Sequence, residues 1–261
     1  MLKCIFCEVP NDAISIEHII PESLGNIIFK MEKSAVCDVC NSTFSKFEEK
    51  ALSNSIFALE RARLGIVTKK GKSVKGKVKN FLFEGDENFE KNKILINGIG
   101  EENLKYFDSK TGNYQLFIKP FDKSEVSCSK LALKIALESI YTSRKEIYAK
   151  YSFRELKDYL TKKNNNDWCF LMTDFEPKKF KSIPQFKIKY DLKIKNFCQL
   201  KILELDENNL LFKFQFGTIA MIINLINRNI DWTKIYFQND KLIQIYPNQF
   251  KKKIEFKFCR E

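Results

Sequence analysis

The sequence has one histidine, His18, in 261 residues. Serine or cysteine catalysis built on any other histidine is therefore excluded. No apolar run approaches the ~20 residues of a membrane span; the longest, residues 219–223 with their neighbours, is far shorter. No signal-peptide pattern opens the chain, because Cys4, Cys7 and Glu8 precede any apolar stretch. These absences give the expectation of a soluble, cytoplasmic protein without a membrane partner. No internal repeat or low-complexity array is visible. No acidic residue occurs between Glu60 and Glu84.

The composition that remains is globular: 44% hydrophobic and 30% charged. At roughly 100–200 residues per domain, the length fits one large domain or two small ones. The formal net charge is +12, from 45 Lys+Arg against 33 Asp+Glu. That balance favours polyanions, nucleic acid first and an acidic membrane surface second. The excess is uneven. Residues 1–75 hold 11 basic and 9 acidic side chains, and residues 76–261 hold 34 and 24. Most of the basic residues are Lys, which suits phosphates, whereas bidentate reading of guanine wants Arg. Abundant Lys, Asn, Ile and Phe equally fit an AT-rich coding sequence.

Eight cysteines in a long chain without a secretion signal point to metal or free thiols rather than disulfides. Four form two pairs, Cys4-Ile-Phe-Cys7 and Cys37-Asp-Val-Cys40. Thiolates at i and i+3 converge on one ion, and two such knuckles complete a closed, structural Cys4 zinc site. Cys128, Cys169, Cys198 and Cys259 are isolated among apolar residues and read as buried small hydrophobes.

The apolar period predicts a helix over residues 41–64. Residues 68–79, with six Lys and two Gly, read as an exposed basic linker or a twisted hairpin. A domain boundary is placed near residue 75, giving domains 1–75 and 76–261. The second reads as α+β. Strands are expected over 93–96 and 114–118, and a helix over 129–148. A capping box, Ser152-Phe-Arg-Glu155, opens another helix to about 163. Strict alternation predicts a strand over 186–194. Hairpins are expected at 199–205/210–217 and at 235–237/242–246. Lysines alternating on these strands read as a solvated sheet face.

Between the cysteine pairs lie Glu17-His18-Ile-Ile-Pro21 and Ser23-Leu-Gly25, and Asn41 follows Cys40 directly. Cys-x2-Cys, Glu-His-Ile-Ile-Pro, Ser-Leu-Gly and Cys-x2-Cys-Asn together resemble the HNH endonuclease family. More narrowly, they resemble its subgroup with a ββα-metal fold braced by a four-cysteine zinc. The resemblance covers about residues 1–65. It implies a zinc-braced ββα-metal module, which with the mixed helix and antiparallel-sheet reading of residues 76–261 makes the fold class α+β. It implies His18 as the general base, and Glu17 and Asn41 as ligands of a catalytic Mg²⁺ or Mn²⁺, with Ser45 as a second-choice contact. Glu17 stands where Asp is commoner. The middle Asn, which fixes the loop carrying the histidine, has no counterpart before Cys37. Ser34, Glu32 or, from the other side, Asn26 are the residues available to replace it.

The chemistry agrees with the resemblance. Phosphodiester hydrolysis needs a base of near-neutral pKa, which imidazole supplies, and a cation for the phosphate. A carboxylate and an amide oxygen form a hard site suited to Mg²⁺ or Mn²⁺. The reading is a metal-dependent endonuclease acting on DNA, with restriction or antiphage defence as its setting by analogy. Lys69, Lys70, Lys72, Lys75, Lys77 and Lys79 are its expected phosphate contacts. Cutting both strands would need a homodimer or two sequential nicks. The rivals are a non-catalytic zinc module that binds nucleic acid, and a nuclease gated by a regulatory ligand or partner protein at its C-terminal domain.

Overall fold

The computed structural model describes residues 2–78, 81–101, 104–116, 118–162, 167–184, 197–237 and 243–251. The chain opens with a short antiparallel pair, β1 (Leu2–Lys3) and β2 (Pro10–Asn11). Residues 17–20 then run antiparallel to residues 29–31. The Met31 amide donates to the Glu17 carbonyl (2.9 Å), the Ile19 amide donates to that of Phe29 (3.2 Å), and His18 faces Lys30. α1 (Asp38–Leu52) follows. Two short antiparallel segments and a helix are the ββα order expected of this region.

The helix expected over 41–64 is two helices, α1 and α2 (Ser55–Arg63). The break has a local cause at the buried Asn54. Its amide nitrogen donates to the carbonyls of Lys50 (3.1 Å), Ala51 (2.9 Å) and Ser124 (3.2 Å). Its Oδ1 accepts from the amides of Lys123 (2.8 Å) and Ser124 (3.1 Å). A side chain that competes for helix carbonyls ends the helix although the apolar period continues.

Beyond α2, a turn at residues 68–72 leads into an antiparallel sheet of β3 (Lys75–Val78), β4 (Phe81–Gly85) and β5 (Ile94–Asn97), with β4 central. Of the two readings of the basic stretch, the hairpin is the one formed. Val74, Val78, Phe81 and Phe83 pack on Ala62 of α2, so buried surface runs across residue 75. β6 (Leu104–Phe107) and β7 (Tyr114–Leu116) form a separate ribbon.

α3 (Glu125–Ser143) starts earlier than expected because the Ser124 hydroxyl caps it, accepting from the Ser127 amide at 3.1 Å. α4 (Lys145–Lys150) and α5 (Arg154–Thr161) follow. The capping box at Ser152 is not formed; Phe153 precedes the first turn of α5 without a side-chain cap. A six-stranded antiparallel sheet closes the fold. It is built from β8 (Phe170–Met172), β9 (Lys181–Ser182), β10 (Cys198–Asp206), β11 (Asn209–Phe216), β12 (Ile219–Asn224) and β13 (Gln244–Tyr246). Its order is β13-β8-β12-β11-β10-β9. The β10–β11 hairpin is as expected. Residues 235–237 are not a strand but part of α6 (Lys234–Phe237), and β13 pairs with β8 instead. Trp232 and Tyr236, four apart, stack edge to face at 6.1 Å over the sheet, a helical spacing that outweighs local β propensity. The strand expected over 186–194, the turn 238–241, Lys79 and Cys259 lie outside the described residues. Cys128, Cys169 and Cys198 are buried, as expected. Lys213 departs from the solvated-face reading: it is buried and donates to the Asp174 carbonyl and to Glu176, both at 2.8 Å.

α3 is the centre of the molecule. Its residues from Leu131 to Ile140 are buried on every side, packed between α1 and strands β11 and β12. A helix apolar on all faces is a core helix. One continuous core joins Phe44 and Phe47 of α1, through Leu131 and Ile135, to Phe212 and Phe214 of β11. The only charged residues buried within α3, Lys134 and Glu138, lie on one helical face.

Candidate active site and zinc centre

Cys4, Cys7, Cys37 and Cys40 converge, with all four sulfurs within 4.8 Å of one another. A tetrahedral zinc with Zn–S ~2.3 Å wants sulfur–sulfur edges of about 3.8 Å, so the cluster fits that ion. Cys37 Sγ lies 3.6 Å from Cys7 Sγ and accepts from the Cys40 amide at the start of α1. The knuckles are joined by the Ile5 amide donating to the Ala35 carbonyl (2.9 Å), and Phe6 packs edge to face on Phe44 at 4.6 Å.

The cysteines hold the segment that carries His18. Ile19 and Ile20 are buried and anchor it to the core. The turn beyond ends at Gly25, whose φ of 83° suits glycine and whose amide donates to the Glu22 carbonyl. His18 Nε2 lies 3.1 Å from Glu22 Oε1. Its Nδ1 is buried and has no hydrogen-bond partner among the described residues. Burial holds the imidazole below its ordinary pKa, with Glu22 opposing. The ring is therefore neutral at neutral pH, the state a general base requires.

Asn26 is the residue that ties this loop together. Its amide nitrogen donates to the carbonyls of Ile20 (2.6 Å) and Phe29 (3.0 Å), and its Oδ1 accepts from the Phe29 amide (2.9 Å). Of the three residues available for the missing middle Asn, it alone bridges the two segments flanking His18. Glu32 instead accepts from the Tyr141 hydroxyl (3.1 Å), and Ser34 offers its carbonyl to Asn11.

Glu17 is buried beside His18, and its carboxylate is bonded to Lys134 of α3. Lys134 is 0% exposed. Its ammonium also lies 2.8 Å from Glu48 and 3.2 Å from Glu138, and donates to the His18 carbonyl at 2.9 Å. Burial pushes the carboxyls of Glu17 and Glu138 up, and the ammonium opposes it. Of these carboxylates, Glu17 and Glu48 line the cleft and share the one ammonium. Truncating one partner of a buried ion cluster costs about 3–5 kcal/mol. Lys134→Met is therefore expected to lower the denaturant midpoint sharply; a midpoint equal to wild type would contradict a stabilising role for this cluster.

Asn41 is oriented by two residues without a sequence signal of their own. Asp38 accepts from the amides of Ile14 (3.2 Å) and Ser15 (3.1 Å) and from the Ser15 hydroxyl. Ser15 Oγ in turn accepts from Asn41 Nδ2 at 3.0 Å. With the amide nitrogen taken, Asn41 offers its Oδ1 as an oxygen ligand.

Glu17, His18, Asn41 and Ser45 line one cleft of about 640 Å³, with Glu22, Glu48, Glu49, Arg61 and Lys69 among its other walls. Residues 4–57 match the HNH endonuclease family. No curated protein and no solved structure matches the chain.

The matched segment holds both cysteine pairs, His18, Glu17 and Asn41, while the match does not extend to Arg61, the lysines of 69–79 or α3. Lys69 pairs with Glu22 (2.7 Å) at the cleft, and Lys75 pairs with Glu84 (2.7 Å) on the neighbouring sheet. Lys70, Lys72 and Lys77 are exposed and make no ion pair among the described residues; Lys70, Lys72, Lys75 and Lys77 are not in the cleft wall. No helix among the described residues is long and apolar enough to cross a membrane.

Proposed function

We propose that the chain is a metal-dependent HNH nuclease that hydrolyses phosphodiester bonds of DNA. The observation that carries this reading is the shared cleft: a neutral imidazole, a buried carboxylate and an oriented amide line it together, within a segment that matches the HNH endonucleases. His18 takes a proton from the attacking water. Glu22 steadies the ring through Nε2, and Asn26 fixes the loop that presents it. Glu17 and Asn41 would hold Mg²⁺ or Mn²⁺; their hard oxygen donors suit such a cation. Bound there, the ion would supply the positive charge that neutralises the scissile phosphate and the leaving oxygen. Cys4, Cys7, Cys37 and Cys40 hold a structural zinc, closed to solvent chemistry by its four thiolates.

The rival reading, a zinc module that binds nucleic acid without cutting it, is favoured by one observation: the Lys134 ammonium already sits on the Glu17 carboxylate. Plasmid cleavage with Mg²⁺ or Mn²⁺ added or omitted separates the two readings.

The basic stretch supplies affinity in this account. Replacing Lys69, Lys70, Lys72, Lys75, Lys77 and Lys79 together by glutamine is expected to weaken DNA binding. It should flatten the salt dependence by about 0.9 for each phosphate no longer neutralised, without altering sequence preference. Binding isotherms over a salt series check this. An unchanged slope would remove DNA binding from the stretch.

A further inference from the structure

Arg61 is a half-buried cation with no carboxylate partner among the described residues. It projects from α2 into the wall of the cleft that also holds His18, Asn41 and Ser45. Its Nε is buried and has no hydrogen-bond partner. Burial alone acts on its guanidinium, which no carboxylate offsets. Nε of Arg144 and of Arg228 are likewise buried without a hydrogen bond, but the other part-buried arginines among the described residues each have an oxygen close to the guanidinium. Arg63 is held by Glu60 at 2.6 and 2.7 Å, Arg144 donates to the Ser182 carbonyl at 2.7 Å, and Arg228 lies 3.1 Å from Glu155.

The contrast is sharper because the cleft is rich in acids. Glu17 and Glu48 are engaged by Lys134, and Glu22 is engaged by His18 and Lys69. Arg61 pairs with none of them. A guanidinium does not give up its proton in a protein, so its charge stays and needs an anion. A buried charge left unpaired weakens the fold unless a ligand completes it. The planar fork matches two oxygens of a phosphate. A polyanion entering a cleft lined by carboxylates also needs a fixed positive charge in its lining to offset their repulsion.

We propose that Arg61 is the phosphate-binding residue of the cleft, gripping a nucleic-acid phosphate beside His18. The identity of the anion rests on the nuclease reading; the unpaired guanidinium does not.

The test uses full-length protein carrying His18→Ala, so that cleavage does not consume the probe, with Arg61 wild type, Arg61→Gln or Arg61→Lys. The probe is a labelled 20-base-pair DNA duplex titrated over a salt series. Arg61→Gln is expected to bind about 10-fold more weakly, as for loss of a charge-assisted hydrogen bond, with a salt slope smaller by about 0.9. Arg61→Lys should keep the slope and lose part of the affinity, because a point charge replaces the fork. The unfolding midpoint of Arg61→Gln should equal or exceed that of its parent, since an unpaired buried charge is removed. A lowered midpoint would assign Arg61 to the fold and overturn the proposal. So would equal affinity and slope in the Gln variant, or no duplex binding by the parent. Failure of the nuclease reading looks different: a wild-type chain that cuts nothing, while the Arg61-dependent slope remains.

Discussion

Replacing Cys37 by serine is expected to release the bound zinc and unfold the HNH segment. Cys37 has three roles at once. It would ligate the ion, its Sγ accepts from the Cys40 amide, and its carbonyl receives the Asn41 amide at the first turn of α1 (3.0 Å). In structural zinc sites the apparent binding free energy, about 10–16 kcal/mol, is folding free energy. That equals or exceeds the ~5–15 kcal/mol by which a whole domain is stable. The two knuckles themselves are joined by few backbone bonds, that from the Ile5 amide to the Ala35 carbonyl among them. The damage should spread further, since Phe44 and Phe47 of α1 belong to the same core as α3 and the large sheet. Metal analysis, circular dichroism and the unfolding midpoint read the effect. Folded, active protein containing no zinc would contradict the assignment.

The second large effect is on chemistry rather than fold. His18→Ala is expected to slow cleavage by at least about 100-fold, the low end for removing a general base. Zinc content and duplex affinity should stay near wild type, because the ring ligates neither the zinc nor the phosphate held by Arg61 in this account. The fold should tolerate the change. His18 Nδ1 has no partner to lose, and Glu22, released from Nε2, keeps Lys69 at 2.7 Å. A rate equal to wild type would remove His18 from the reaction.

Short-range chemistry was the legible part of the site. Two thiols three residues apart declare a knuckle, and Glu17, His18 and Asn41 lie in local motifs around it. What surrounds them comes from distant chain. Lys134 meets Glu17 across 117 positions, from a helix whose sequence reads simply as apolar core. A lysine at a buried helix position, with Glu138 four residues on, was the one available signal. Glu48 and Arg61 lie in the run read as a single helix, and their direction depends on the break at Asn54. That break depends on bonds to Lys123 and Ser124, far along the chain. Ser15 and Asp38 orient Asn41 through a turn, and such hydrogen bonds leave no periodicity. The same limit applies at residues 235–237, where tertiary packing of Trp232 and Tyr236 decided between helix and strand.

The most direct test of the account is plasmid nicking by the zinc-loaded, full-length protein with Mg²⁺ or Mn²⁺ omitted and then added back. Omission and return of the ion leave the structural zinc in place, which a strong chelator would not. The account predicts nicked plasmid only when the ion is returned, and none above background with His18→Ala. Intact plasmid under every condition, from protein that still binds the duplex, would contradict it in favour of a module that binds without cutting.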